Sequence, residues 1–263
     1  MNIKNVFQVV LIVLFVGLIS VRAQEKTTEV GDYENYHKES FFLVSPLVGW
    51  NRNKLYIPAL PPRGPMPGQP AQTRTDTNPE YGLFALYFHP RMVINNMFFL
   101  TDASGSDITG NISFINFYGK PDRKVTWNVG GGYVWHEIKA EDNTITISVP
   151  MAKAGALIRI PNAHLLLNPY VAYAWQSVET DFSDEDTEAV LYGMTAHWFY
   201  RMFHLTMKYY YQDDQDSSEG YNVFRFRGIA FANDWFGLTG RFEYLEEPGT
   251  DNTSVLFGPV FVF

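Results

Sequence analysis

Apolar and polar side chains alternate with period two along much of the chain after residue 124. The stretch 221–245 shows this most sharply. In its first half Phe224 and Phe226 share one parity, and Arg225 and Arg227 take the other. In its second half Phe242 and Tyr244 share a parity, opposite Thr239, Arg241 and Glu243. Successive strand residues point to opposite faces, so each half is predicted as a strand with one aromatic and one charged face. Asn233-Asp234 between them predicts a tight turn. In 125–138, Val125, Trp127, Val129, Tyr133 and Trp135 oppose Thr126, Asn128, Gly130, Gly132 and His136. The pattern recurs in 187–200, where Tyr192 and Met194 oppose Thr195 and His197. It recurs again in 203–212, where Met207 and Tyr209 oppose Thr206 and Lys208.

Strands are predicted near 41–50, 80–89, 92–101, 108–118, 125–138, 145–160, 165–178, 187–200, 203–212, 220–232, 235–245 and 253–263. Their connections alternate in kind. His89-Pro90-Arg91, Lys120 to Arg123, Pro161 to His164, Arg201-Met202 and Asn233-Asp234 are short. The others (51–79, 102–107, 139–144, 179–186, 213–219 and 246–252) are mostly longer and polar. The first three strands alternate poorly, with runs such as Phe41-Phe42-Leu43-Val44 and Met97-Phe98-Phe99-Leu100. They are expected to meet apolar surface on both sides, where the segment after the first strand folds inward.

Alternation alone leaves the sense of the faces open. In a soluble sandwich the apolar face lines a core; in a transmembrane barrel it meets lipid, and the polar face lines the interior. The N-terminus changes the picture. Lys4 precedes an apolar run over 6–19, and Val21-Arg22-Ala23 follows, so 1–23 reads as an export signal cut before Gln24. Residues 24–40 are expected to form a short periplasmic tail. No later segment has the apolar length of a spanning helix, and in lipid only helices and closed barrels satisfy the backbone. Aromatics make up 16% of the chain and charged residues only 18%, which suits a surface that is partly lipid-facing. There is no cysteine, hence no disulfide framework or thiolate metal site. A net charge of −8 argues against a nucleic-acid partner.

The last strand, 254–263, reads SVLFGPVFVF. Phe257, Phe261 and Phe263 share a parity, and the final residue is aromatic. This resembles the closing strand of bacterial outer-membrane β-barrel proteins; Pro259 departs from the usual run. The resemblance implies that these phenylalanines are read by the barrel-assembly machinery. It also implies an outer-membrane location, with membrane lipid and lipopolysaccharide as neighbours. The fold expected is therefore all-β, a single antiparallel transmembrane β-barrel of about twelve strands over 41–263. Its short turns face the side where the chain begins.

On the faces assigned inward lie Lys153, Arg159, Lys208, Arg225, Arg227 and Arg241, with Glu243 the one acid among them. Fixed cations in a low-dielectric wall concentrate anions, and arginine grips carboxylate or phosphate through a two-pronged fork. The expectation is a channel or transporter for small polar or anionic solutes. Two alternatives stand. One is a non-conducting surface barrel in which Arg225, Arg241 and Glu243 merely fill the interior, while loops bind partners or other cells. The other is a lipid-modifying enzyme.

Other features carry less. The segment 51–79 holds Pro58, Pro61, Pro62, Pro65, Pro67 and Pro70, and reads as a solvated extended loop or a constriction. Asp181, Asp184 and Asp186, and Asp213, Asp214 and Asp216, could share a calcium ion but lack the glycine-punctuated spacing of a calcium loop. None of the six histidines has a serine two positions on, as outer-membrane phospholipases require. Gly130-Gly131-Gly132 lies within a strand and opens no helix, so a bulge or close packing fits better than a phosphate loop. His197 and His204 flank a turn and suggest a metal pair only weakly. No cofactor is implied.

Overall fold

In the computed structural model, residues 40–57, 71–103, 106–140, 143–181, 183–214, 220–247 and 249–263 are described. The expected export signal and tail, and all six prolines of the expected proline-rich loop, lie outside them. Twelve strands are present. They are β1 (Phe41–Ile57), β2 (Gln72–His89), β3 (Met92–Ala103), β4 (Ser106–Tyr118), β5 (Val125–Ala140) and β6 (Asn143–Ile160). Then follow β7 (Leu165–Thr180), β8 (Asp184–Tyr200), β9 (Phe203–Asp214), β10 (Gly220–Phe231), β11 (Phe236–Glu247) and β12 (Thr250–Val262). Each pairs antiparallel with its chain neighbours, and β1 pairs with β12 to close the barrel. Closure removes the sheet edges and satisfies the ladder without water.

The outer face carries the apolar parity. Phe42, Trp127, Tyr200, Trp235 and Phe263 are exposed near the short turns. Trp50, Tyr81, Tyr133, Trp175 and Tyr192 are exposed further along their strands, with Val48, Leu83, Val129, Val171 and Met194 between. From Phe42 to Trp50, about eight residues at about 3.3 Å each span about 26 Å of strand. Tilted as barrel strands are, that is roughly 20 Å of height between Cα atoms, and the rings at either end extend it toward an apolar band of roughly 25 Å.

The expected long loops are corrected. Asn51–Ile57 pairs with Gln72–Asn78, so about half of the supposed first loop is strand. Likewise β3 and β4 meet at Ala103 and Ser106, and β5 and β6 at Ala140 and Asn143. The strands run on past the apolar band. There both faces meet water, so polarity no longer distinguishes strand from loop.

Short turns are set by local chemistry. Pro161–Ala163 forms one 3-10 turn closed by His164 in the left-handed region at φ 52°. Asn233 Oδ1 accepts from the backbone N–H of Trp235 (3.1 Å) and Phe236 (2.8 Å), an Asx turn.

The poor alternation of β1 to β3 is explained by the interior. Leu43, Leu47, Phe84, Met97, Leu256 and Val260 point inward and form one buried cluster. Phe88, Val93, Leu157, Leu166 and Phe199 form a second beside it. Together they make an apolar floor across the short-turn end of the lumen. Both faces of β1 to β3 are apolar because the outer face is the apolar band and the inner face meets this floor; residues 58–70, expected to fold inward, lie outside the described residues.

The seam between β1 and β12 holds a proline on each strand. The ladder is interrupted between Val44↔Phe261 and Val48↔Phe257 and resumes in the same register. Neither Pro46 nor Pro259 has an N–H to give. The Ser45 hydroxyl, fully buried, donates to the Pro259 carbonyl at 2.7 Å. Gly258 fits because any Cβ there would lie 1.8 Å from the Pro46 carbonyl oxygen.

Candidate functional site: a basic chamber inside the barrel

Above the floor the interior turns polar. Arg225 on β10 lies opposite Lys208 on β9 and Glu243 on β11, so the three share the inward face. Arg227 is opposite Arg241 by the same register. Lys153 enters from β6, opposite Gly130 on β5. Four of the seven lumen residues named from sequence, Lys153, Lys208, Arg225 and Arg227, line one internal cavity of about 160 Å³. Asn95, Asn116, Asn168, Thr195 and Thr206 supply its neutral polar wall. Leu86, Val93, Phe114, Met151 and Ile229 supply its apolar wall.

Two glycines make room for the rings that shape the chamber. A Cβ on Gly132 would lie 2.3 Å from the Phe114 ring, and one on Gly193 would lie 2.4 Å from Tyr170 Cζ. The aromatic side chains therefore lie across the neighbouring strand. The ladder through Gly130 to Gly132 is unbroken, so close packing, not a bulge, explains the triple glycine.

The rings in turn hold the cations. Lys153 Nζ sits 4.7 Å from the Tyr170 ring centre. Lys208 Nζ sits 5.0 Å from Phe114 and 4.8 Å from Tyr210. Arg227 reaches from β10 across the lumen to stack on Phe84 of β2, 3.6 Å from the ring centre. A cation over an aromatic face is stabilised by the ring quadrupole, more so when desolvated. Glu243 is bridged by both Arg225 and Arg241. Among the described residues no carboxylate pairs with Lys153, Lys208 or Arg227, so the chamber keeps an excess of positive charge. The hydroxyl of Tyr170 and the Oδ1 of Asn116, both buried and lining the cavity, have no hydrogen-bond partner.

The other named residues stand apart. Arg241 and Glu243 lie behind Arg225, outside the cavity lining. Arg159 is inward and buried, but it lies in the floor layer, and its Nη1 donates to the Arg123 carbonyl at 2.8 Å, tying down a short turn. His197 and His204 come together, Nδ1 to Nε2 at 3.3 Å, with Thr206 Oγ1 3.2 Å from each. The Phe199 ring stacks on His204 at 4.3 Å, so the pair joins chamber to floor. Among the described residues no group of three His, Asp or Glu gathers as a metal site. Asp213 and Asp214 are successive residues of β9 and point to opposite faces. Phe257 and Phe263 are exposed on the outer face; Phe257 packs on Trp50, Phe261 on Phe236, and Phe263 on Phe42.

Sequence reasoning missed Tyr170, Phe114 and the asparagines. In β7 the run Leu165-Leu166-Leu167 is apolar on both parities and hides its inward face. The available signal was the register: Tyr170 lies opposite Gly193, and Phe114 opposite Gly132.

No family model matches the chain, and no curated protein matches it. Solved structures do. The translocator domain of the autotransporter NalP from Neisseria meningitidis is similar at TM-score 0.52 and 9% identity, over 88% of this chain and 91% of that one. The transport unit of the autotransporter AIDA-I from Escherichia coli follows at TM-score 0.48 and 12% identity, over 91% and 100%. At such identity the likeness speaks for fold alone: the chain has the closed antiparallel fold of outer-membrane β-barrels.

Proposed function

We propose that this barrel sits in an outer membrane and admits small anionic or polar solutes to its basic chamber, as an anion-preferring channel. In this reading lipid and lipopolysaccharide surround the aromatic belt, and the barrel-assembly machinery reads Phe257, Phe261 and Phe263. The observation that carries it is the convergence of Lys153, Lys208, Arg225 and Arg227 on one cavity, with Glu243 the single carboxylate paired into the group among the described residues. Unpaired charge in a low-dielectric wall is costly, so cations kept there lower the free energy of an entering anion. On the loop side, a polar cavity of about 260 Å³ between Asn53, Asp76 and Ser106 offers a wetted approach. Inward-facing Leu55 is 46% exposed there.

The packed floor favours a second reading, a barrel that holds a solute without passing it and meets partners through its protruding strand ends. Planar-bilayer recording of the purified protein decides between them. The channel reading expects a reversal potential shifted toward the anion in a potassium chloride gradient, with the shift lost in Arg225→Ala/Arg227→Ala. Silence of the wild-type protein across the voltage range rejects the channel and leaves the second reading.

A further inference from the structure

The chamber is not uniformly polar, and its two-sidedness points to a ligand class. Its basic side holds Lys153, Lys208 and Arg227, from three different strands and without carboxylate partners among the described residues. Tyr170, 7% exposed, adds a hydroxyl with no hydrogen-bond partner. Toward the floor its lining is hydrocarbon, chiefly Leu86, Val93 and Ile229, which belong to the floor clusters or pack on them. An inorganic anion would leave that wall unmatched, and a neutral hydrocarbon would leave the cations unpaired. A cavity of roughly 150 Å³ takes a benzene ring, and this one is about 160 Å³.

We propose that the chamber binds a small amphiphilic organic anion: one carboxylate head on an apolar body about the size of a single ring. This rests on the solute-admitting reading of the same chamber and names the class of solute. The carboxylate pairs with Lys153 and Lys208 and accepts the Tyr170 hydroxyl, since the two ammonium groups lie 4.7 and 5.8 Å from the Tyr170 ring centre. Charge-assisted hydrogen bonds of this kind are the stronger sort, and burial sharpens them. The body lies against Leu86, Val93 and Ile229, where apolar area leaves water.

Titration calorimetry of the full-length protein in maltoside micelles tests this, with protein-free micelles as the baseline. The probes are benzoate, its neutral counterpart benzamide, and inorganic phosphate. Benzoate is expected to saturate one site, with benzamide and phosphate each at least tenfold weaker. Tyr170→Phe removes only the unpartnered hydroxyl and is expected to weaken benzoate about fivefold. Lys153→Met/Lys208→Met is expected to weaken it at least fiftyfold. Where the double variant fails to fold, by loss of the heat-dependent mobility shift on gels, Tyr170→Phe carries the test. No heat above the micelle baseline, equal binding of phosphate or benzamide, or a Tyr170→Phe isotherm identical to wild type each overturns the proposal. Binding in micelles does not depend on conduction. A protein that conducts anions but ignores benzoate refutes only this inference, and one that binds benzoate but conducts nothing refutes only the channel.

Discussion

The two layers of the lumen are built on opposite plans. The floor is hydrocarbon: Leu43, Leu256, Val260 and Phe199 are each at most 1% exposed. The chamber just above it gathers cations with one bridged carboxylate. A packed apolar layer contributes stability in proportion to the area it buries and tolerates no void. A layer of desolvated cations costs stability and is offset by rings, hydrogen bonds and a shared acid. The contrast teaches where each property of the barrel resides. The floor carries the fold's stability and narrows the lumen; the chamber gives up stability to hold a field.

The largest break is expected in the floor. Phe199→Ala removes a fully buried ring that also stacks on His204, and large-to-small changes of this kind cost about 3–5 kcal/mol. The urea midpoint should fall accordingly, and bilayer conductance should rise as the floor thins. Next comes the charged layer. Glu243→Gln leaves Arg225 and Arg241 without their shared carboxylate, and because the cluster is partly wetted the cost is expected at about 2–3 kcal/mol. Adding Arg225→Gln to Glu243→Gln should recover part of that loss, which a denaturation-based double-mutant cycle measures. At the seam, Ser45→Ala orphans the Pro259 carbonyl and is expected to cost about 1–2 kcal/mol by the same denaturation assay. Smallest is the loop-side rim: Glu137→Gln removes the partner of Lys139 in water, and no shift in the midpoint is expected. Should the rim change rival the chamber change, the two-layer account fails.

The sequence carried the chamber's cations further than its shape. The inward parity of Lys153, Lys208, Arg225 and Arg227 followed from period-two alternation, because β6, β9 and β10 each have one wet and one lipid face. It failed for β1 to β3, since an apolar floor and a lipid surface look the same along a strand. It also could not separate Arg159 from the others. Parity fixes the face of a residue, while height in the barrel fixes whether it meets the chamber or a turn carbonyl. Loop lengths were overestimated at 51–79 for a related reason: once past the lipid, a strand no longer needs apolar residues.

By itself, then, the sequence determined where the twelve strands lie, the parity of strands such as β5 and β8 to β11, the short turns at Asn233 and Pro161 and an even count that closes on itself, because these are properties of neighbours along the chain. Only the tertiary structure decided that Arg227 crosses the lumen to Phe84, that Lys208 lies among Phe114, Tyr170 and Tyr210, and that Phe84 and Met97 share one buried cluster with Ile229 and Phe231. These contacts join distant strands, and their geometry depends on the curvature and register that closure imposes.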